Sequence, residues 1–187
     1  MKESISENGY WLDTTLENHR YDESLADALL DFFQLEEAQS IVDFGCGHGN
    51  YTKLFNNLIP TEGFDGNPNT KELTNGLCNV LDLSKIVDLK KEYDWVMSLE
   101  VGEHIPKEYE GNFIKNLHNH NMKGIVLSWA IPGQGGHGHF NEQSNQYITD
   151  ILISLGYTRD TTSETFLRDK STYFWFKNTI MVFKRIL

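Results

Sequence analysis

Apolar residues near the start of the chain recur at helical spacing and then give way to a short apolar run. Between Asp22 and about Phe33 the apolar positions are three to four residues apart, which is typical of a helix that packs one face on a core. The run that follows, at residues 41–44, is short and mostly apolar, as in a buried strand. The pattern therefore predicts a helix followed by a buried strand.

The rest of the chain repeats this alternation. Apolar runs predict six further strands, at residues 63–65, 78–83, 95–99, 124–130, 157–160 and 173–185. Helical spacing predicts three further helices, at about residues 50–58, 106–118 and 147–155, with a single helical turn expected within 161–171. The run at 124–130 is continuously apolar, as expected of a central parallel strand covered on both faces. The alternation indicates an α/β fold.

Size and composition narrow the classes of function. A chain of 187 residues is expected to form one domain, and its formal net charge of −11 argues against binding to the phosphates of nucleic acid. Two cysteines, Cys46 and Cys78, are too few for a disulfide framework or a Cys-rich zinc site. No apolar run approaches the roughly 20 residues that span a bilayer, and no secretory segment starts the chain. We therefore expect a soluble cytoplasmic protein, monomeric or homodimeric, with no nucleic-acid or membrane partner.

Three glycines at alternate positions follow the first predicted strand directly. Gly45, Gly47 and Gly49 stand between that strand and the helix predicted from Asn50. Glycine permits left-handed backbone angles and lets a ligand approach the main chain without a Cβ in the way. The first turn of the next helix also supplies unpaired N–H groups. This glycine turn, residues 45–49, is therefore predicted to hold a small ligand against main chain.

The glycine spacing distinguishes between classes of cofactor. A dinucleotide fingerprint has the pattern G-x-G-x-x-G, whereas this chain has G-x-G-x-G, with Asn50 in the place of the third fingerprint glycine and Asp43 at the strand end. The arrangement resembles the first motif of the Rossmann-like (class I) S-adenosylmethionine-dependent methyltransferases. The resemblance implies that Asp43 helps to hold the amino-acid end of the cofactor. It also implies cofactor contacts for the residues of the turn, Gly45, Cys46, Gly47 and Gly49.

An acidic residue ends the second predicted strand. Asp65 lies 20 residues after Gly45, as one strand-helix-strand unit requires, and a carboxylate there can accept hydrogen bonds from both ribose hydroxyls. Gly66 and Asn67 let the chain turn away and complete the cofactor contacts predicted at this strand end. NAD-dependent enzymes use the same acidic residue, so Asp65 indicates a nucleoside without choosing the cofactor. The alternative is an aspartate that caps a helix or a turn.

The third predicted strand ends in Asp82 and Leu83. In the methyltransferase family an acidic residue at this position meets the exocyclic amine of adenine, and a neighbouring apolar residue covers the ring. Asp82 and Leu83 match that pair in type and order. The resemblance therefore implies that both contact the adenine of the cofactor.

The fourth predicted strand runs into two acidic residues and a histidine. Residues 98–106, Ser-Leu-Glu-Val-Gly-Glu-His-Ile-Pro, look like the fourth-strand motif of small-molecule methyltransferases. They do not resemble the Asn/Asp-Pro-Pro-Tyr/Phe motif of enzymes that methylate bases or glutamine. The resemblance implies a cofactor contact for Glu100 and active-site positions for Glu103 and His104. A helix-capping or packing role for the last two is an equal alternative, because a carboxylate is favoured near a helix start.

A glycine-rich loop with two histidines, residues 131–142, follows the fifth predicted strand. Ligands of open α/β sheets bind outside the carboxyl ends of the strands. His137 and His139 point the same way if the chain is extended, and a general base that deprotonates a hydroxyl nucleophile is the favoured role for either. The alternatives are a hydrogen bond to the substrate and a metal site with a carboxylate as third ligand. Because no residue in the sequence fixes that third ligand, no metal is predicted.

The residues before the first helix include two aromatic side chains. Tyr10 and Trp11 are interpreted either as a brace over the sheet edge or as part of a flap, residues 1–21, that closes over cofactor and substrate. In the second interpretation His19 and Arg20 are candidate contacts. The predicted core of the single domain is residues 22–187.

The resemblance covers most of the chain, from about Asp22 onward. It implies a Rossmann-like, doubly wound sheet of about seven strands, mostly parallel with a C-terminal antiparallel hairpin and with helices on both faces. It also implies transfer of a methyl group from S-adenosyl-L-methionine to a small-molecule acceptor, with an oxygen acceptor and a histidine general base favoured. An NAD-dependent oxidoreductase and a non-catalytic partner subunit of the same fold are the alternatives.

Overall fold

The computed structural model describes residues 5–12 and 20–186, and a seven-stranded sheet runs through this part of the chain. Its strands are β1 (Ile41–Phe44), β2 (Thr61–Asp65), β3 (Cys78–Val80), β4 (Tyr93–Ser98), β5 (Asn121–Leu127), β6 (Tyr157–Arg159) and β7 (Met181–Arg185). Their order across the sheet is β3-β2-β1-β4-β5-β7-β6. Strands β1 to β5 run parallel, whereas β7 is antiparallel to both β5 and β6. The predicted Rossmann-like sheet is confirmed.

Helices cover both faces of the sheet. They are α1 (Glu23–Leu35), α2 (Asn50–Phe55), α3 (Thr70–Leu73), α4 (Glu110–Asn119), α5 (Asn145–Ser154), α6 (Thr161–Lys170) and α7 (Phe174–Thr179), with a 3₁₀ helix at Lys107–Tyr109 before α4. Successive residues of a strand point to opposite faces. In β1, Ile41 packs with Phe32 of α1, whereas Val42 belongs to the core that contains Phe113 of α4. The described helices include none with the length and apolar character needed to cross a membrane.

The C-terminal region differs from its prediction. The single strand predicted at 173–185 is wrong, because α7 occupies the first half of that stretch and β7 the second. Aromatic residues favour strands, but this preference depends strongly on packing. Here Phe176 is buried in a core, and the side chains of Asn178 and Thr179 donate to main-chain oxygens four residues earlier, at 2.8 and 2.9 Å. The single helical turn predicted within residues 161–171 is also wrong, because this stretch forms α6, which has 10 residues.

The strand order reverses between β1 and β4. From β1 the chain moves outward to β2 and β3, and it then crosses to β4 and β5 on the other side. Open α/β sheets bind ligands outside the carboxyl ends of the strands at such a point. The glycine turn leaves β1 there, and Glu100 follows β4 with a φ angle of 53°. A left-handed backbone is costly for a residue with a side chain, and such strain is concentrated at functional sites.

Candidate active site

A cavity of about 410 Å³ opens at the carboxyl ends of β1, β2 and β4. This volume lies in the range of about 300–1,000 Å³ that is usual for small-molecule sites. All but two of the residues predicted for the site line it: Asp43, Gly45, Cys46, Gly47, Asp65, Gly66, Asp82, Leu83, Glu100, Glu103, His104, His137 and His139. The fold thus brings together groups that the sequence places on five different strand ends.

The glycine turn is fixed by main-chain hydrogen bonds. The N–H groups of Gly45 and Cys46 both donate to the carbonyl oxygen of Phe64 in β2, at 2.7 and 3.0 Å. Gly45 and Gly47 have φ angles of 84° and 53°, and a Cβ on Gly45 would lie 2.2 Å from a methyl group of Val101. Only glycine fits at this position without displacing its neighbours. The turn therefore presents bare main chain to the cavity.

Gly49 and Asn67 do not line the cavity. Gly49 immediately precedes α2 with a φ angle of 71°, and a Cβ there would lie 2.9 Å from Sγ of Cys78. Asn67 is buried, and its side-chain oxygen accepts a hydrogen bond from the N–H of Asn69 at 2.9 Å. In the structure both residues shape the backbone behind the cavity wall, and their contact with a cofactor stays a prediction.

Asp65 connects the end of β2 to the glycine turn. One carboxylate oxygen accepts the N–H of Gly47 at 2.9 Å, and the other accepts the N–H of Asn67 at 2.9 Å. Each carboxylate oxygen can accept more than one hydrogen bond. Asp65 can therefore hold the turn in place and still accept hydrogen bonds from a ligand in the cavity.

Asp82 is tied into a local network beside the buried side chain of Leu83. Its carboxylate accepts from the N–H and hydroxyl of Ser84 at 3.0 and 2.6 Å and from the amide of Asn8 at 2.8 Å. Lys85 forms an ion pair with it at 3.1 Å. Although burial acts to raise the pKa of Asp82, the bonds from Ser84, Lys85 and Asn8 lower it overall. Asp82 is therefore a carboxylate at neutral pH.

The N-terminal segment, residues 5–12, lies across the same edge of the sheet. Tyr10 packs on Gly66, where an added Cβ would lie 2.4 Å from the tyrosine side chain. The Trp11 ring meets the rings of His104 and His137 edge to face, with centroid distances of 5.4 and 5.7 Å. The segment therefore forms part of the wall of the cavity.

His19 and Arg20, the two residues before α1 that were predicted to contact the cofactor or the substrate, have different outcomes. Arg20 lines the cavity, whereas His19 lies outside the described residues. The positions of Tyr10 and Trp11 agree with both the brace and the flap interpretations. Movement of residues 1–21 as a flap stays a prediction.

Asp43 is a buried carboxyl group with a strongly perturbed pKa. Its side chain is 3% exposed and accepts a hydrogen bond from the hydroxyl of Thr52 at 2.8 Å. Burial raises the pKa of Asp43 to about 7, the hydrogen bond from Thr52 opposes that rise, and the charge of Asp65 adds to it. A cationic ligand beside Asp43 would favour its ionised form.

Glu103 is fully buried, and its environment is unusual. Neither carboxyl oxygen has a hydrogen bond of good geometry from a described residue, although the main-chain N–H groups of Glu103 and Ala130 lie near enough to act against the rise in its pKa. Burial and then the nearby charge of Glu100 raise the pKa of Glu103 well above its usual range. No helix N–H in the described chain donates a hydrogen bond of good geometry to this side chain, which speaks against the capping alternative, whereas the packing alternative stays open. A buried carboxyl group without partners is costly and points to a functional role.

His104 and His139 lie next to Glu103. Their ring centroids are 5.0 Å apart, and one side-chain ligand atom from each of the three residues falls within 4.8 Å of the others. Nδ1 of His104 lies 2.9 Å from the carbonyl oxygen of Gly138, and Nδ1 of His139 lies 3.2 Å from a carboxylate oxygen of Glu142. The structure therefore joins the motif after β4 and the glycine-rich loop after β5 into one cluster.

Some residues of the cavity wall were not predicted from the sequence. They include Asn8, Tyr51, Gln134, Phe174, Trp175 and Phe176. The aromatic residues of α7 were hidden by the assignment of that stretch to a strand. Gln134 lies in the glycine-rich loop, and its amide donates to Glu100 at 2.9 Å. Position in that loop was the only sequence signal for Gln134.

Comparisons with known proteins agree with this geometry. A family model described as a methyltransferase domain matches residues 18–154. No curated protein sequence matches the chain. Similar solved structures include magnesium protoporphyrin IX methyltransferase from Synechocystis PCC 6803 with bound SAH, at 16% identity and a TM-score of 0.66 over 86% of this chain and 81% of that one. An amino pentose methyltransferase from Micromonospora echinaspora with bound SAM has 14% identity and a TM-score of 0.64 over 86% and 90%.

A third similar structure, an O-methyltransferase family protein from Burkholderia thailandensis, has 10% identity and a TM-score of 0.60 over 87% of this chain and 55% of that one. At these identities the structural likeness shows the fold alone. The family match is broader evidence, because it spans most of the chain and includes the glycine turn with the ends of β2, β3 and β4. The chain therefore belongs to the Rossmann-like (class I) methyltransferase family.

Proposed function

We propose that this methyltransferase binds S-adenosyl-L-methionine in the cavity and transfers the methyl group to an oxygen atom of a small molecule. One observation carries the proposal. The main chain of the glycine turn, the carboxylates of Asp65 and Asp82, and a histidine cluster all line the same cavity. The similar Synechocystis methyltransferase was solved with bound SAH, and the similar Micromonospora methyltransferase was solved with bound SAM. Both structures support this choice of cofactor.

The order of the polar groups suggests how the cofactor lies. Adenine would lie near Asp82 and Leu83 and the ribose near Asp65, as the family resemblance implies. The methionine part would then follow the glycine turn toward Asp43. This direction leaves Glu103 and the histidines at the sulfonium end, where the acceptor must enter. The anionic form of Asp43 would favour the positively charged cofactor.

The wall of the cavity is partly aromatic. Phe174 and Trp175 of α7 line it, and the Trp175 ring stacks on Tyr173 with centroids 4.5 Å apart. Aromatic walls with a few polar groups suit a small organic molecule better than a nucleic acid, and the net charge of −11 also disfavours nucleic acid. A cytoplasmic monomer or homodimer remains our prediction for location and assembly.

The proposed reaction is an in-line displacement. An oxygen lone pair of the acceptor attacks the methyl carbon, the carbon–sulfur bond breaks, and its electron pair stays on sulfur to give S-adenosylhomocysteine. The hydroxyl proton of the acceptor passes to His137 or His139, both of which line the cavity. The protein contributes mainly alignment and proton removal, since the cofactor carries the reactive group.

Isothermal titration of the full chain tests the cofactor assignment. We expect S-adenosylmethionine and S-adenosylhomocysteine each to bind at one site per chain, with dissociation constants on the order of micromolar, and NAD to give no measurable heat. Absence of binding by both adenosyl compounds, or tighter binding of NAD, would contradict the proposal. Binding without methyl transfer to any of a broad panel of acceptors would favour the non-catalytic partner subunit.

The pKa of Asp43 predicts how cofactor binding depends on pH. Because the pKa of about 7 lies above the ordinary value of 3.8, the carboxyl group of the free protein is protonated below pH 7 and ionised above it. A cation binds the ionised form better, so affinity for S-adenosylmethionine should rise about three- to tenfold between pH 6 and pH 8 and then level off. The measurement is a series of titrations in buffers of equal ionic strength.

Asp43→Asn is the matched variant for this prediction, because its amide oxygen can still accept the hydrogen bond from Thr52. The variant should bind more weakly at pH 8 and lose the pH dependence between pH 6 and pH 8. S-adenosylhomocysteine has no sulfonium charge, so its pH dependence should be shallower. An unchanged pH profile in Asp43→Asn would show that another group titrates.

A further inference from the structure

The carboxyl group of Glu103 is buried without a described cation that would balance its ionised form. It is 0% exposed, and neither oxygen has a hydrogen bond of good geometry from a described residue. Buried ionised carboxylates in proteins are paired, hydrogen-bonded or bound to a metal. Without such a partner a buried carboxyl group stays neutral, and a bound cation is the arrangement that would let Glu103 ionise.

The ligand atoms around Glu103 have the spacing that a metal ion requires. One atom each from Glu103, His104 and His139 lies within 4.8 Å of the other two. Nitrogen and oxygen ligands bind first-row divalent metals at about 2.0–2.2 Å, so ligand atoms on opposite sides of one ion are roughly 4.2 Å apart. Small inward shifts of these side chains would therefore bring all three into contact with one cation.

Each of the two histidines has an oxygen atom beside its Nδ1 that can accept a ring N–H. Nδ1 of His104 lies 2.9 Å from the carbonyl oxygen of Gly138, which can only accept, and this contact favours a proton on Nδ1. The Nε1–H of Trp11 lies 3.3 Å from the same nitrogen and can only donate, so the two contacts compete, and the shorter one to Gly138 favours the Nδ1 proton. The lone pair of the His104 ring is then on Nε2.

His139 is oriented in the same manner by a carboxylate. Its Nδ1 lies 3.2 Å from Oε1 of Glu142, and the N–H groups of Gly133 and Gly135 each donate to the Glu142 carboxylate at 2.7 Å. Metal-binding histidines commonly donate their second ring N–H to a carboxylate or a carbonyl oxygen, which fixes the tautomer and the ring orientation. The cluster therefore has the supporting contacts of a metal site as well as the ligands.

We propose that Glu103, His104 and His139 bind one divalent first-row transition metal at the acceptor end of the cavity. Two imidazole nitrogens and one carboxylate suit Mn²⁺, Co²⁺ or Zn²⁺ better than Mg²⁺ or Ca²⁺, which prefer ligand sets made of oxygen. Three protein ligands leave coordination positions for another molecule. The net charge of −11 also favours cation binding.

The role of the cation rests on the proposed function, whereas its binding does not. A hydroxyl oxygen of the acceptor that binds the metal would lose its proton more readily, because the metal stabilises the alkoxide. If His139 is a ligand, then His137 is the histidine of the glycine-rich loop that is left to take that proton. The substrate would be an alcohol or phenol whose oxygen can reach the metal.

Titration of the chelator-treated full chain with Co²⁺ tests the site, because cobalt bound to nitrogen and oxygen ligands absorbs visible light. We expect one equivalent to bind with a dissociation constant below about 100 µM, a binding free energy that three protein ligands can readily supply. Glu103→Gln and His139→Asn should each weaken binding at least 100-fold. Glu142→Gln should weaken it about 10- to 100-fold, as expected for a group that orients a ligand.

Two histidine variants serve as controls. His118→Asn removes a histidine that contacts Tyr157 rather than the cavity, and His137→Asn removes a cavity histidine outside the proposed ligand set. Both should bind Co²⁺ as the original chain does. His139→Asn changes a loop residue and keeps the test valid if Glu103→Gln fails to fold, which circular dichroism would show.

The outcomes separate the two proposals. Absence of Co²⁺ absorption up to about 1 mM, or affinity unchanged in both Glu103→Gln and His139→Asn, overturns the metal site whatever the cofactor does. Co²⁺ binding that depends on these residues, in a protein that binds no S-adenosylmethionine, supports the metal site and overturns the proposed function. We expect both ligands to bind.

Discussion

Replacing Asp65 by alanine is expected to weaken S-adenosylmethionine binding at least 100-fold, which corresponds to about 3 kcal/mol. Two separate losses add up to this effect. The carboxylate accepts the N–H groups of Gly47 and Asn67, both at 2.9 Å, so its removal releases the glycine turn. The cofactor would also lose the acceptor for its ribose hydroxyls, and a hydrogen bond to a charged group contributes about 1.5–3 kcal/mol. Isothermal titration of the variant measures the loss.

Two further variants make the Asp65 prediction specific. Asp65→Asn keeps one oxygen that can accept an N–H but replaces the other with an amide, so its affinity should fall between those of the alanine variant and the original chain. Asp88→Ala removes an exposed carboxylate that pairs with Lys90 and should leave binding within twofold. An affinity of Asp65→Ala within threefold of the original would show that the end of β2 does not hold the cofactor.

Local sequence patterns were sufficient for the parts of the site that come directly after strands. Gly45 and Gly47 adopt the left-handed angles that their position suggested, and Asp65 stands at the end of β2 as expected. Such features depend on one strand, its turn and the general rule that parallel strands point their carboxyl ends to one edge. Their prediction required no knowledge of long-range packing.

Contacts between distant segments were beyond the sequence. Asn8 binds Asp82 across 74 positions, and Trp11 packs on a histidine of the motif after β4. The aromatic wall from α7 was missed for a different reason. The same residues that favour a strand by propensity form a helix here, because Phe176 enters the core beneath them. Propensity is local, whereas burial is decided by the whole fold.

The cluster around Glu103 shows this limit most clearly. From the sequence, Glu103 and His104 were equally compatible with capping a helix, and His139 had no identified third ligand. Packing of the loop after β5 against the motif after β4 brings the three together, and it leaves Glu103 fully buried. Complete burial of a carboxyl group has no sequence signature, because acidic residues are mostly exposed. The metal proposal therefore depends on the three-dimensional structure.

His137→Asn is expected to lower the turnover number by about 10²- to 10⁴-fold, the usual contribution of a general base. Affinity for S-adenosylmethionine and for Co²⁺ should change little, because His137 belongs to neither of the proposed binding sets. His139→Asn should lower turnover as well, but together with its loss of Co²⁺ affinity. Transfer of a tritiated methyl group to an acceptor found in a panel of alcohols and phenols measures the turnover.

The combination of the two variants decides between the roles of the histidines. In one outcome, His137→Asn keeps its turnover, whereas His139→Asn loses turnover and keeps its affinity for Co²⁺. His139 is then the base and not a metal ligand, and its pairing with Glu142 stabilises the imidazolium. If neither substitution changes turnover, the glycine-rich loop is a binding surface and the acceptor proton leaves by another route. We expect His137→Asn to lower turnover without changing the affinity for S-adenosylmethionine or Co²⁺. His137 lies in the cavity wall, where its ring contacts Trp11 at 5.7 Å, and it is not one of the three residues of the metal cluster.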